Sequence, residues 1–161
     1  MDASTFIALA VACAPQVNGS TASALVAVES GFNPHAIGVV GGALQRQPRS
    51  HLEAVVTAQA LQQAGWNFSV GLSQINAGNF DRLGLTVESA FEPCRNLAAM
   101  QAVLAECFDR ARRREPSAQR SLRQALSCYY SGNFSTGFRE GYVRRVVRAL
   151  PPGGTVSGVP P

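Results

Sequence analysis

The chain has 161 residues, 46% hydrophobic and 15% charged, which suits one globular domain of ordinary size. All 14 basic residues are arginine, and the absence of lysine excludes a Walker phosphate loop, a Schiff-base lysine and a Ser-x-x-Lys nucleophile. The net charge of +4 divides unevenly, −4 over residues 1–109 and +8 over residues 110–161, where ten arginines face only Glu115 and Glu140.

Apolar positions recur at helical spacing along most of the chain and β alternation is scarce, which predicts a mainly α fold. A first helix spans residues 5–14, apolar from Phe6 to Cys13 and stopped by Pro15. Asp2 stands where a signal peptide would be basic, and no arginine precedes Arg46. The stretch is therefore expected to be the first helix of a mature domain, with any export signal outside this sequence. A second helix, capped by Ser20 or Thr21, places Leu25 and Val28 inward and runs to residue 30, where Gly31 and Pro34 end it.

Gly38 to Gly42 forms a glycine-rich loop, read as a turn or cleft edge. A third helix, 50–64, opens on the capping box Ser50-His51-Leu52-Glu53 and closes at Gly65. That gives Glu53 a structural task. Residues 66–76 are short of helix signal and are expected to form an irregular or hairpin segment. A long helix follows at 93–114 with Pro93 in its first turn, then helices at 117–129 and 136–150. The domain is thus expected to span 1–150, with a Pro/Gly-rich tail or linker at 151–161. No apolar run reaches the ~20 residues of a membrane span. The basic C-terminal third is read as solvated helix faces, with no nucleic-acid partner expected.

The four cysteines, Cys13, Cys94, Cys107 and Cys128, are even in number but contain no C-x-x-C pair, and neither His35 nor His51 lies near one. No zinc or other metal site is expected. Two disulfides in an oxidising compartment, with three possible connectivities, stand against four buried thiols.

Among the acids, Asp81, Glu88 and Glu92 fall in a polar connection, and Glu106, Asp109 and Glu115 lie beside arginines where ion pairing is the default. Glu29 differs. It ends the apolar run Ala24-Leu25-Val26-Ala27-Val28 just before a Gly-Phe-Asn-Pro turn, where partial desolvation raises a carboxyl's pKa as a general acid requires. Neither histidine sits in a recognisable nucleophile elbow, so a Ser-His-Asp site is the weaker alternative. Trp66, Phe68, Tyr129 and Tyr130 are candidates to stack on sugar rings, with core packing as the default for any one of them.

Three blocks occur in order: Glu29-Ser30-Gly31-Phe32-Asn33-Pro34, Gly71-Leu72-Ser73-Gln74-Ile75-Asn76 and Tyr129-Tyr130-Ser131-Gly132-Asn133. In that order they resemble the lytic transglycosylases of the goose-type lysozyme superfamily. Cys13-Ala14-Pro15, Ala36-Ile37-Gly38, residues 65–71 and Phe91-Glu92-Pro93-Cys94-Arg95-Asn96-Leu97 extend the likeness to the VirB-type subgroup of type IV secretion systems. It covers about residues 10–150. The resemblance implies a lysozyme-like single domain without cofactor, with Glu29 as catalytic acid/base. It also implies a glycan cleft formed by Ser30, Ser73, Gln74, Asn76, Tyr129, Tyr130 and Asn133.

Ser73 stands where the family often has methionine, and Tyr130 where it usually has asparagine, a polar contact that Asn133 or Ser131 would partly replace. The resemblance further implies disulfides Cys13–Cys94 and Cys107–Cys128, peptidoglycan strands and type IV secretion components as partners, and a periplasmic location. The expected reaction cleaves the MurNAc–GlcNAc bond and leaves 1,6-anhydroMurNAc ends. The rivals are a hydrolytic muramidase and a non-catalytic wall-binding or scaffold protein of the same machine.

Overall fold

The computed structural model describes residues 1–153. The tail expected at 151–161 lies outside them apart from its first three residues. The order of elements is α1 (Ala3–Cys13), α2 (Gly19–Ser30), β1 (Ile37–Val39), α3 (His51–Gln63), β2 (Phe68–Val70) and β3 (Ile75–Asn76). Two 3-10 turns (Ala77–Asn79, Asp81–Leu83) then lead to α4 (Val87–Ala90), α5 (Pro93–Arg112), α6 (Ala118–Ser131), α7 (Thr136–Arg139) and α8 (Tyr142–Arg148). The domain is mainly helical, as the spacing predicts, and no helix among the described residues is long and apolar enough to cross a membrane.

Helix α5 is the spine. Leu97, Met100, Leu104, Cys107 and Ala111 recur every three or four residues and are buried, while Arg95, Asp109 and Arg110 face outward. Leu122, Ala125, Leu126 and Cys128 give α6 the matching stripe, and the two helices pack as a hairpin clamped by the Cys107–Cys128 disulfide. The second bridge, Cys13–Cys94, ties the end of α1 to the start of α5. Both connectivities are those the resemblance implies, and the described residues hold no free cysteine.

The segment at 66–76 is a hairpin, but the sheet has a third strand that periodicity missed. β1, overlapping the start of the expected glycine loop, pairs antiparallel with β2 (Ile37 with Val70), and β2 pairs with β3 (Val70 with Ile75). Three residues are too few for alternation to register. The free edge of β1 is closed by one side chain: Gln47 accepts from the Ile37 N–H at 2.8 Å and donates to the Ile37 carbonyl at 2.9 Å, standing in for a fourth strand.

Three further local expectations are corrected. Asn18, not Ser20 or Thr21, caps α2 by accepting from the Ser20 N–H at 2.9 Å. At α3 the Ser50 hydroxyl does accept from the Glu53 N–H, but the Glu53 carboxylate reaches one residue further back, to the Arg49 N–H, and pairs with Arg46. The helix expected over 136–150 is two helices, because Gly141 takes the left-handed conformation (φ 77°) and restarts the chain at Tyr142. That break has consequences for the site.

Candidate active site

Glu29 occupies the last turn of α2, whose buried face of Ala22, Leu25 and Val26 anchors the helix in the core. Gly31, in the left-handed conformation, closes the helix by donating to the Ala27 carbonyl and turns the chain away. The carboxyl is left half-buried beside a cleft. Burial penalises its charge and raises its pKa to about 7, against two opposing influences, a hydrogen bond from Tyr142 and the positive field of Arg145. Tyr142 Oη donates to Glu29 Oε1 at 2.5 Å. With Oε1 so engaged, the acid proton belongs on Oε2. Burial and the neighbouring Glu29 charge push the Tyr142 phenol well above its ordinary range, so it stays a neutral donor.

The turn between β2 and β3, Gly71-Leu72-Ser73-Gln74, is fastened on three sides. Ser30 donates to the Leu72 carbonyl at 2.7 Å, tying the turn to the residue next to Glu29. Tyr129 Oη donates to the Ser73 carbonyl at 2.7 Å, and burial keeps this phenol neutral too. Asn96, fully buried on α5, does the rest. Its Oδ1 accepts from the Ser73 N–H at 2.9 Å and the Ser73 hydroxyl at 2.6 Å, and its Nδ2 donates to the carbonyls of Val70 and Ala90.

This framework holds Gln74 in the left-handed region (φ 52°), uncommon for a residue other than glycine. The Gln74 amide donates to the carbonyls of Ala36 and Gly71 at 3.1 Å each. Gly38 makes room for it, since a Cβ there would lie 2.7 Å from Gln74 Oε1.

The cleft encloses about 620 Å³. One wall is the sheet, with Gly38, Val39 and Val40, the amides of Asn67, Gln74, Asn76 and Asn79, and Ile75. The other is the α5–α6 hairpin, with Tyr129, Tyr130, Gly132 and both cysteines of the second disulfide. Amides set among small apolar surfaces suit the hydroxyls and ring faces of a sugar chain. The one other acid on the lining, Glu106, is exposed and paired with Arg82 at 2.8 Å, so Glu29 is the only desolvated carboxyl there.

Of the residues singled out in the sequence, Glu29, Gln74, Asn76, Tyr129 and Tyr130 share this lining. Ser30, Ser73 and Asn133 do not. Ser73 is fully buried, Ser30 spends its hydroxyl on the Leu72 carbonyl, and the Asn133 side chain accepts from the N–H groups of Ser135 and Thr136 ahead of α7. They position the site instead of facing it. Tyr130, at the position that departs from the family pattern, stacks on Tyr142 at 4.5 Å between ring centroids and donates to Glu140.

Two residues central to this geometry, Tyr142 and Asn96, carried no expected role. Gly141 inside an otherwise helical run was the available signal for the first. For the second it was an amide in the stripe that continues through Leu97 and Met100.

A mainly helical domain with a small antiparallel sheet, and one desolvated glutamate between them over a polar cleft, defines a lysozyme-like protein. More narrowly, the chain belongs to the Transglycosylase SLT domain family, whose model matches residues 6–147. It is 49% identical over 148 residues to the type IV secretion system protein virB1 of Brucella abortus, an alignment covering 88% of this chain and 62% of that one. It is 38% identical over 139 residues to protein virB1 of Agrobacterium fabrum, covering 85% and 56%. The chain thus spans less than two thirds of the length of these curated relatives. No solved structure matches it significantly.

Proposed function

We propose that this domain is a peptidoglycan lytic transglycosylase serving a type IV secretion apparatus from the periplasm. The observation that carries the reading is Glu29, a single carboxyl raised to about 7 and hydrogen-bonded by Tyr142 on one oxygen only. One group must act as acid and then as base, and a pKa near neutrality serves both.

Protonated Glu29 gives the proton on Oε2 to the glycosidic oxygen between N-acetylmuramic acid and N-acetylglucosamine. The C1–O bond breaks, N-acetylglucosamine departs with a free 4-hydroxyl, and the muramic acid N-acetyl oxygen supports the positive C1. Glu29, now a carboxylate steadied by Tyr142, takes the proton of the muramic acid C6 hydroxyl as O6 bonds to C1. The product is a 1,6-anhydro ring, Glu29 is protonated again and no water is consumed. The tethered hydroxyl gains from proximity over bulk water. A mechanism needing two carboxylates finds no second one here, since Glu106 is exposed and already paired with Arg82. Two disulfides favour an oxidising compartment such as the periplasm. The relatives named for type IV secretion support the apparatus as partner.

Mass spectrometry of muropeptides released from purified peptidoglycan tests this, with wild type beside Glu29→Gln. Anhydromuramyl products that vanish in the variant are the expected result. Reducing-end products would make the protein a hydrolase, and wall binding without release would make it a scaffold.

A further inference from the structure

Arg110 belongs to two hollows at once. It lines the cleft, and with Arg113, Arg114 and Phe134 it lines a second hollow of about 180 Å³. Its guanidinium is held in place from two sides, by Cys128 Sγ at 3.4 Å and by the Phe134 ring at 5.3 Å to the centroid. Neither contact neutralises it. Among the described residues no carboxylate forms an ion pair with Arg110, Arg113 or Arg114, whereas Arg82 and Glu106 in the same cleft cancel one another. The charge asymmetry of the sequence therefore has a local form: an uncompensated, oriented cation at the junction of a sugar-sized cleft and a basic side hollow.

We propose that Arg110, flanked by Arg113 and Arg114, is a subsite for the carboxylates of the peptide stem that branches from muramic acid. The inference rests on peptidoglycan as substrate. The amino-sugar rings are neutral, so an unpaired guanidinium finds no counter-ion on the sugar backbone itself. The stems carry carboxylates and branch off the glycan, and Arg110 is the residue that the cleft and the second hollow share. A planar guanidinium already fixed on a ring and a sulfur matches a carboxylate with little further ordering. The subsite would make the domain favour peptide-bearing strands over denuded ones.

Calorimetric titration in the Glu29→Gln background, which prevents turnover, tests this with three ligands of equal glycan length. One is a peptide-bearing muropeptide oligomer, one the same oligomer stripped by an amidase so that only the lactyl carboxylate remains, and one a chitooligosaccharide with no carboxylate. The peptide-bearing ligand is expected to bind about 5- to 10-fold more tightly than the stripped one at low salt. Arg110→Gln should bring that ratio close to one, Arg110→Lys should keep only part of it because an ammonium lacks the planar fork, and Arg148→Gln on α8 should leave it intact.

Equal affinity for the peptide-bearing and stripped ligands, both tighter than the chitooligosaccharide, would reassign the cation to the lactyl group and overturn the stem subsite. A preference surviving Arg110→Gln, or lost equally in Arg148→Gln as a bulk charge effect, would overturn it as well. Failure to bind any of the three would overturn the peptidoglycan reading, and the subsite with it.

Discussion

Tyr142 Oη sits 2.5 Å from Glu29 Oε1, across 113 residues of sequence, and it does so because Gly141 breaks the last helical run one residue earlier. An unbroken helix over 136–150 would carry that ring on another course. The backbone break, the phenol and the carboxyl form one unit: the break aims the donor, and the donor leaves one carboxyl oxygen for the proton. Tyr130 stacks on the same ring, so the residue that departs from the family pattern supports the donor.

This pairing fixes a pH response. Cleavage requires protonated Glu29, so activity should fall as pH rises through about 7. The hydrogen bond from Tyr142 favours the carboxylate, so Tyr142→Phe should move that fall to higher pH. It should also lower the maximal rate about 10- to 100-fold, because the carboxylate formed during proton donation loses its partner. Initial rates of anhydromuropeptide release between pH 5 and 9 check both. A falling limb that does not move, or moves down, would remove Tyr142 from this role.

The raised pKa has a stability cost with a defined sign. Below the ordinary carboxyl value of 4.5 Glu29 is protonated whether the chain is folded or not, and its burial carries no ionic penalty. As pH rises from 4.5 to about 7 the unfolded chain ionises this group while the folded protein resists, so stability is lost progressively across that window and the full cost is reached once pH passes about 7. Glu29→Gln keeps an acceptor for Tyr142 without the charge. It should therefore be more stable than wild type by about 2–3 kcal/mol at pH 8 and nearly equal to it at pH 4. Denaturant melts at the two pH values measure the difference.

Asn96 holds the turn that carries Gln74. Asn96→Ala removes two acceptor and two donor contacts at once from a fully buried site, stranding the Ser73 N–H and the carbonyls of Val70 and Ala90 and leaving the Ser73 hydroxyl only its 3.3 Å contact to the Asn96 backbone carbonyl. The expected loss is about 3–5 kcal/mol. Asn96→Asp is a sharper test, because it keeps the acceptor for Ser73 but turns a carboxylate oxygen toward those two carbonyls. It should destabilise comparably despite its near-identical shape, and urea midpoints decide. A mild effect from Asp would mean that the two carbonyl contacts are dispensable.

The two disulfides should separate stability from function. Cys13–Cys94 closes 81 residues and Cys107–Cys128 closes 21, which by loop entropy gives about 4.5 and 3.3 kcal/mol respectively. The paired variant Cys13→Ser/Cys94→Ser should accordingly melt lower than Cys107→Ser/Cys128→Ser. Activity at a temperature where both remain folded should follow the opposite order, since only the second bridge lines the cleft. Thermal melts beside turnover rates test the inversion.

Short-range patterning in the sequence alone carries the helical stripes of α5 and α6, the stops that end α1, α2 and α3, and a glutamate stranded where an apolar helix meets a turn. Ordered blocks of residues added the family and, through it, the partners of each cysteine. Tertiary structure decided the rest. A three-residue strand is too short for alternation, so β1 emerged only from its pairing with β2. Ser30, Ser73 and Asn133 belong to motif blocks, yet the burial of Ser73 and the backbone partners of Ser30 and Asn133 turn them into supports, a distinction that spacing does not encode. Tyr142 and Asn96 act through contacts with residues far away in the chain, and Arg110 stands out because the fold sets it in two hollows, on Cys128 and Phe134, with no ion pair among the described residues. Local propensity is written residue by residue, whereas desolvation, charge compensation and hydrogen-bond partners depend on which distant segments the fold brings together.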